Sequence, residues 1–233
     1  MEIQSNNILD YVGDTPLVEI SRMSPKLEVR IFAKLEGHNP TGSIKDRVAK
    51  YLVQQAEATG ELKPGQTLVE ASTGNTALAL ALIAKQKGYK IKVVMLRRAT
   101  PGVAELLVTY GVEIVWCNPL AGMKGAIEMA EQMSRSEGYF NTCQFQSKAN
   151  VLAHYETTGP EILHSLPAVD VFIAGIGTGG TLMGVGDKLK EHNPQTRIIG
   201  VEPKMGDQLQ GLRSLQEGFT PPLLDLDKLD GRF

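Results

Sequence analysis

The chain has 233 residues, of which 42% are hydrophobic and 21% charged, and its formal net charge is −2. These are ordinary globular values with material for one large core or two modest ones, and they give no electrostatic footing for nucleic acid or an anionic membrane. The opening "MEIQSNNILD" has no basic segment followed by an apolar run. The longest wholly apolar stretch, Ala77 to Ala84, is too short to span a bilayer. A soluble, cytoplasmic chain is expected. Cys117 and Cys143 match neither a disulfide framework nor a CxxC pair, and Cys117, in the apolar "VEIVWC", should be a buried reduced thiol. The histidines His38, His154, His164 and His192 lack metal-ligand spacing, so no metal site is expected.

In chain order, "TPLVEI" and "VRIFAKLE" are strand-like runs separated by a turn-rich segment. "NPTGSIKDR", Asn39 to Arg47, begins as a loop and places Lys45 where a helical pattern starts. That helix carries Val48, Leu52, Val53 and Ala56 on one face and stops at Gly60. "QTLVEA" reads as a strand, followed by "STGNT" and the helix "ALALALIAKQKG", whose lysines and Gly88 suit a helix end. "KIKVVML" is a further strand, and Thr100-Pro101 reads as an N-cap and first helical position for "PGVAELLVTYG". "VEIVWC" and "GMKGAIEMAEQMSRSEG" form another strand–helix pair. In the helical "ANVLAHYETTGPEILHSL", Gly159-Pro160 should break or kink the helix. "VDVFIAG", "IGTGG", "TLMGVGDKLKEH" and "RIIGVEP" read as strand, loop, helix and strand. From Lys204 onward no strong period remains.

Strands alternating with helices predict parallel βαβ units with helices on both sheet faces, an α/β protein. Ligands in such sheets bind beyond the carboxyl ends of strands. The loops carrying Lys45, "STGNT" and "GIGTGGT" should therefore converge on one cleft.

The glycine loop admits two readings. Gly175, Gly177 and Gly180 fit G-x-G-x-x-G between a strand and a helix, with Glu202 at the end of the next strand. That is the context of a dinucleotide fingerprint with its ribose-binding acid, and hence of an NAD-dependent enzyme. Alternatively, backbone N–H groups with the Thr178 and Thr181 hydroxyls form a cradle for a phosphate monoester. A phosphate site together with a lysine amine disfavoured as a cation by burial and the helix dipole points to pyridoxal 5′-phosphate, which joins a phosphate to an imine-forming aldehyde.

Taken together, "NPTGSIKDR", "STGNT", "QFQSKANVLAHYETTGPEI" and "GIGTGGTLMGVG" resemble the cysteine synthases (O-acetylserine sulfhydrylases) among the fold-type II pyridoxal-phosphate enzymes. "VGDTPLVEI" and "IIGVEP" fit as well, and "GDQLQGLRSLQEGF" is more similar to the B-type enzymes. The resemblance implies two domains, each a mostly parallel twisted sheet flanked by helices. A smaller, mobile domain would span residues 38–148, and a larger one would be built from 1–37 and 149–233. It implies that Lys45 holds the cofactor as an imine and then removes the substrate α-proton, with Asn75 bonding the cofactor's phenolic oxygen. Gly177, Thr178, Gly179, Gly180 and Thr181 would bind the phosphate. Ser72, Thr73 and Thr76, with Gln144, would grip the substrate carboxylate. The implied reaction is β-replacement, in which an activated serine (O-acetylserine or O-phosphoserine) and a sulfur donor yield L-cysteine. The sulfur donor could be sulfide, thiosulfate or a carrier thiocarboxylate, and a homodimer is implied.

The sequence departs from the family pattern in three places. Thr73 stands where the family has serine, and Leu96-Arg97-Arg98 inverts the usual charge after the "VVM" strand. The chain also stops at Phe233, before the family's serine-bearing turn at the pyridine nitrogen. This early stop leads to the expectation of an incomplete larger domain. It keeps open a truncated, weakly active paralogue beside a cystathionine β-synthase-like enzyme or a serine/threonine dehydratase.

Overall fold

The computed structural model describes residues 7–72, 74–97, 101–207 and 209–233. Two short strands, β1 (Leu17–Glu19) and β2 (Phe32–Lys34), pair antiparallel near the N-terminus. They precede α1 (Lys45–Thr59), so the Lys45 loop follows a small antiparallel ribbon rather than a strand of a parallel sheet. The two strands are shorter than their apolar runs, because the intervening segment bonds to itself in tight turns at Ser21, Ser24 and Lys26.

A four-stranded parallel sheet follows, built from β3 (Thr67–Ala71), β4 (Lys90–Leu96), β5 (Glu113–Cys117) and β6 (Tyr139–Asn141) in the order β5-β4-β3-β6. Side chains along a strand alternate between faces, which sorts the core into two clusters. Leu68, Val93 and Met95 pack with α1 and with α2 (Asn75–Lys87), beside Leu107 of α3 (Pro101–Thr109). Val69, Ala71 and Val94 face the opposite way, onto Ala126 and Ala130 of α4 (Gly122–Ser134). The near-continuous apolar sequence of α2 follows from burial on more than one side, with Ala77, Ala79, Leu80, Ala81, Ile83 and Ala84 all buried. Both α1 and α2 end on a glycine in the left-handed conformation, Gly60 at φ 76° and Gly88 at φ 78°. The Thr100 cap and Arg98 lie outside the described residues. Cys117 is buried and unbridged, as its apolar setting predicts.

A second parallel sheet, in the order β7-β8-β9, consists of β7 (Val171–Gly175), β8 (Arg197–Val201) and β9 (Gly231–Arg232). Helix α7 (Gly180–His192) crosses between β7 and β8 and packs against α5 (Lys148–Ala153) and α6 (Gly159–Ser165). The expected interruption at Gly159-Pro160 takes another form, because the chain stays helical throughout. A five-residue π-helix, His154–Thr158, joins α5 to α6. Pro160 then falls in the first turn of α6, where a missing N–H is tolerated. The aperiodic tail contributes short 3₁₀ turns and the two-residue strand β9, parallel to β8.

Candidate active site

Lys45 is the first residue of α1, and its approach loop is tied by its own side chains. The Asp46 carboxylate accepts from the Thr41 backbone N–H at 2.7 Å and from the Thr41 hydroxyl, and Ser43 Oγ accepts from the Lys45 N–H at 3.2 Å. The Ser43 bond satisfies a donor that a helix N-terminus leaves free. Lys45 lines a cleft bounded also by Ser72, Asn75, Thr76, Gln144, Gly177 and Thr178. The three loops singled out in the sequence therefore meet in one place. Burial lowers the Lys45 amine to about 8, with the Arg213 guanidinium adding to the effect and Glu36 opposing it. At that value a substantial fraction is neutral near physiological pH, as an amine nucleophile requires.

At the end of β3 the Ser72 hydroxyl accepts from the N–H groups of Gly74 and Ala77, both at 3.3 Å, and so satisfies one donor in the first turn of α2. Thr76 Oγ1 donates to Gln144 Oε1 at 2.6 Å, which brings two of the expected carboxylate-gripping residues into direct contact. Thr73, the third hydroxyl of that loop, lies outside the described residues. Gln144 is held on the other side by Glu70, whose carboxylate accepts from the Gln144 N–H at 3.1 Å, from Gln144 Nε2 at 3.4 Å, from Thr142 Oγ1 and from the Ala71 N–H. Burial pushes Glu70 up to about 7 despite those four donors. The turn it holds includes Cys143, which has a positive φ of 51°.

The glycine loop enters α7 with a left-handed Gly179 at φ 89°. A Cβ on Gly177 would lie 2.5 Å from the Gly211 carbonyl oxygen, one on Gly179 would meet Leu224 at 2.9 Å, and one on Gly180 would lie 2.0 Å from Asn150 Oδ1. Close approach thus requires glycine at each. Gly177 and Thr178 reach the cleft, whereas Gly179, Gly180 and Thr181 are not among its lining residues. Thr181 Oγ1 is 3.2 Å from Nε2 of His154, and Nδ1 of that ring is 3.0 Å from Thr158 Oγ1. Burial, with the Lys45 and Arg47 cations nearby, pushes His154 down to about 3, so the ring is neutral.

The dinucleotide reading fails at Glu202. Its carboxylate accepts from the Leu215 N–H at 2.6 Å and pairs with Arg232 at 3.1 Å, so it ties down the C-terminal segment instead of serving a ribose.

Sequence reasoning missed Met123, Phe145, Gln210, Gly211 and Arg213, all of which line the cleft. Phe145 adjoins Gln144 and could have been inferred from it. Gln210, Gly211 and Arg213 lie in the tail that shows no periodicity. Gln210 Nε2 donates to Asn75 Oδ1 at 3.3 Å, so this tail segment crosses to the mouth of α2. The Arg213 guanidinium lies 5.0 Å from the Phe145 ring centre and 5.5 Å from that of Phe219, two rings that meet edge to face.

The donor set fits pyridoxal 5′-phosphate. It offers a poised amine for the aldehyde and the N-terminal end of a 13-residue helix, with close-approach glycines, for a phosphate. A second helix N-terminus, bearing hydroxyls, suits a carboxylate. Among the described residues there is no cluster able to hold a metal ion, and no helix is long and apolar enough to cross a membrane.

Residues 8–231 match the family described as pyridoxal-phosphate dependent enzyme. The chain is 38% identical over 231 residues to cysteine synthase B of Pseudomonas aeruginosa, covering 99% of this chain and 77% of that one. It is also 38% identical to a cysteine synthase of Staphylococcus aureus over 234 residues, covering 97% and 76%. The crystal structure of an O-ureido-L-serine synthase superimposes with a TM-score of 0.92 at 37% identity, over 99% of this chain and 75% of that one. A hydrogen sulfide-producing enzyme of Fusobacterium nucleatum gives a TM-score of 0.92 at 36% identity, over 98% and 80%. With the fold-type II architecture, the amine-bearing cleft and these relatives in agreement, the chain belongs to the pyridoxal-phosphate-dependent enzymes.

Proposed function

We propose that the cleft binds pyridoxal 5′-phosphate and carries out β-replacement on an activated L-serine, forming L-cysteine from a sulfur donor. The observation that carries this reading is the Lys45 amine, lowered to about 8 in a cleft shared by two further helix N-termini. When bound, the cofactor supplies an electron sink at the substrate α-carbon. The rest of the work falls to the chain. Lys45 would anchor the cofactor and then move the α-proton with the same amine. The N-terminus of α7, through Gly177, Thr178, Gly179, Gly180 and the Thr181 hydroxyl, would bind the phosphate. Asn75 would turn its amide from Gln210 to the cofactor's phenolic oxygen. Thr76 and Gln144, with Ser72 and Thr73, would hold the substrate carboxylate at the N-terminus of α2.

Arg213 favours a substrate or sulfur donor that carries a second negative charge, such as O-phosphoserine or thiosulfate. Its guanidinium lines the cleft and makes no hydrogen bond or ion pair among the described residues. Residues 38–148 would form a mobile unit that closes over the substrate and excludes water, against a larger unit of 1–37 and 149–233. A cytoplasmic homodimer completes the reading, and gel filtration tests the dimer.

Borohydride reduction of the cofactor-loaded protein, followed by peptide mapping, should place the label on Lys45. Lys45→Ala should lose nearly all turnover yet retain phosphate-anchored cofactor. Label on any other lysine overturns the assignment. Retained cofactor without cysteine formation from O-acetylserine or O-phosphoserine would instead support a weakly active paralogue.

A further inference from the structure

Asn150 on α5 is fully buried and takes no part in the chemistry above. Its Nδ2 donates to the Gln144 carbonyl oxygen at 2.8 Å and to Thr178 Oγ1 at 2.9 Å. One amide therefore joins the turn that carries Gln144 to the loop that carries Thr178. Its orientation is set by chemistry, because the reversed amide would point an oxygen at the Gln144 carbonyl, acceptor against acceptor. The cost is visible on the other side. Asn150 Oδ1 has no hydrogen-bond partner among the described residues and packs where a Cβ on Gly180 would sit. A buried amide oxygen left unpaired is unfavourable, and the arrangement persists where its two donated bonds outweigh it.

The consequence for Thr178 is directional. Its oxygen accepts from Asn150 Nδ2 and, at 3.4 Å, from the Gly180 N–H. Both lone pairs are occupied, so the single hydroxyl hydrogen remains to be donated toward an anion in the cleft. At the other end, the Gln144 turn is held between Asn150, on its carbonyl, and Glu70, on its N–H.

We propose that Asn150 is a positioning residue that couples the two anion-binding loops, so that a phosphate at Thr178 and a carboxylate at Gln144 strengthen each other's binding. This rests on the assignment of Thr178 to the cofactor phosphate and Gln144 to the substrate carboxylate. Asn150 touches neither ligand. It acts by presenting Thr178 as a donor and by fixing the turn that carries Gln144.

The test is a double-mutant cycle on the holoenzyme with two readouts. One is the dissociation constant of pyridoxal 5′-phosphate. The other, at saturating cofactor, is the concentration of L-alanine that half-shifts the cofactor absorption band, L-alanine carrying the carboxylate but no leaving group. Asn150→Ala should raise both constants about tenfold, the change expected for loss of one buried hydrogen bond at each loop. Thr178→Val should weaken the cofactor in the parent but add less than about threefold in the Asn150→Ala background. If Asn150→Ala does not fold, Asn150→Leu, similar in size and without a donor, removes the same two bonds and should raise the L-alanine constant with Gln144 itself untouched. Asn150→Ala or Asn150→Leu with an L-alanine constant within about twofold of the parent overturns the coupling, as do strictly additive effects in the cycle. A parent in which Thr178→Val leaves the cofactor constant unchanged, or Gln144→Ala leaves the L-alanine constant unchanged, shows instead that the loop assignment itself is wrong.

Discussion

Arg47 and Arg213 carry the same guanidinium group, one behind the Lys45 helix and one at the cleft, and the protein surrounds them in opposite ways. Arg47, two positions after Lys45 on α1, is only 1% exposed and is enclosed by carboxylates. It makes paired bonds to Glu36 at 2.8 and 2.9 Å and to Glu161 at 2.5 and 2.7 Å, with Thr15 and Thr157 completing the set. Lys34 adds a second cation to Glu161 at 2.6 Å. Arg213 has two aromatic rings for neighbours and an open side toward the cleft. Burial lowers its pKa, and Glu217 opposes that only through space. A cation whose donors are all used inside the protein holds the structure together. One whose donors face a cleft is available to a ligand. Arg47 joins α1 to the 3₁₀ turn at Glu36 and to α6, and so fixes the helix that carries Lys45.

The largest effect should come from breaking the enclosed cation. Arg47→Met leaves Glu36 and Glu161 without their guanidinium, a loss of about 3–5 kcal/mol for a broken buried pair. For a chain of this size that corresponds to a fall on the order of 10 °C in melting temperature, read by thermal denaturation. A fall of only a degree or two would mean that the hub is dispensable.

The same hub has an acid signature. Burial alone would raise Glu161, but the bonds from Arg47 and Lys34 outweigh it and hold the carboxyl at about 2. A carboxyl depressed on folding contributes stability that is complete above its unfolded value of about 4.5 and is lost as pH falls toward about 2. Parent and Arg47→Met should therefore differ most in stability above pH 4.5 and converge in acid. Urea denaturation across that range checks it, and parallel curves down to pH 2 would contradict the assignment.

Arg213→Met should leave the melting temperature nearly unchanged and act on binding instead. A hydrogen bond to a charged group is worth about 1.5–3 kcal/mol, so the concentration of O-phosphoserine or thiosulfate needed for half-maximal rate should rise about tenfold or more. O-acetylserine with sulfide is the control and should change less. Equal changes for both pairs would remove the case for an anionic group.

The smallest effect is a shift in a pH profile. Uptake of pyridoxal 5′-phosphate by cofactor-free protein requires the neutral Lys45 amine, so its rate should rise as pH passes through about 8 and then level off. Arg213 is a like charge that favours the neutral amine. Arg213→Met should therefore move the profile to higher pH, as stopped-flow absorbance would show. An unmoved profile would mean that the two cations do not interact.

Much of the fold is legible in the chain. Helices announced by 3.6-residue periodicity and glycine stops, such as α1, and strands with both faces buried, such as β3 and β4, depend on local pattern and so appear in a linear reading. The same holds for Lys45 and for the glycine loop, where punctuation and a single unusual residue mark the cleft. The continuous helical path through Gly159-Pro160 is less legible, because a π-helix shifts the register by one residue and carries no composition of its own.

The alternation of strands and helices, the place of Lys45 at a helix start and the identity of the loops around it all follow from the order of residues along the chain. Which cations are paired and which are open does not. Arg47 and Glu161 stand 114 residues apart, beyond the reach of any local pattern. Arg213 comes from a tail without periodicity and reaches the cleft because its backbone bonds to Ile176 and its neighbour Leu215 bonds to Glu202. Asn150 is likewise an ordinary helical asparagine until folding sets its one amide between Gln144 and Thr178. Hydrophobic periodicity is a short-range property of a chain, whereas the partner of a buried polar group is chosen by whatever the fold brings within about 3 Å of it.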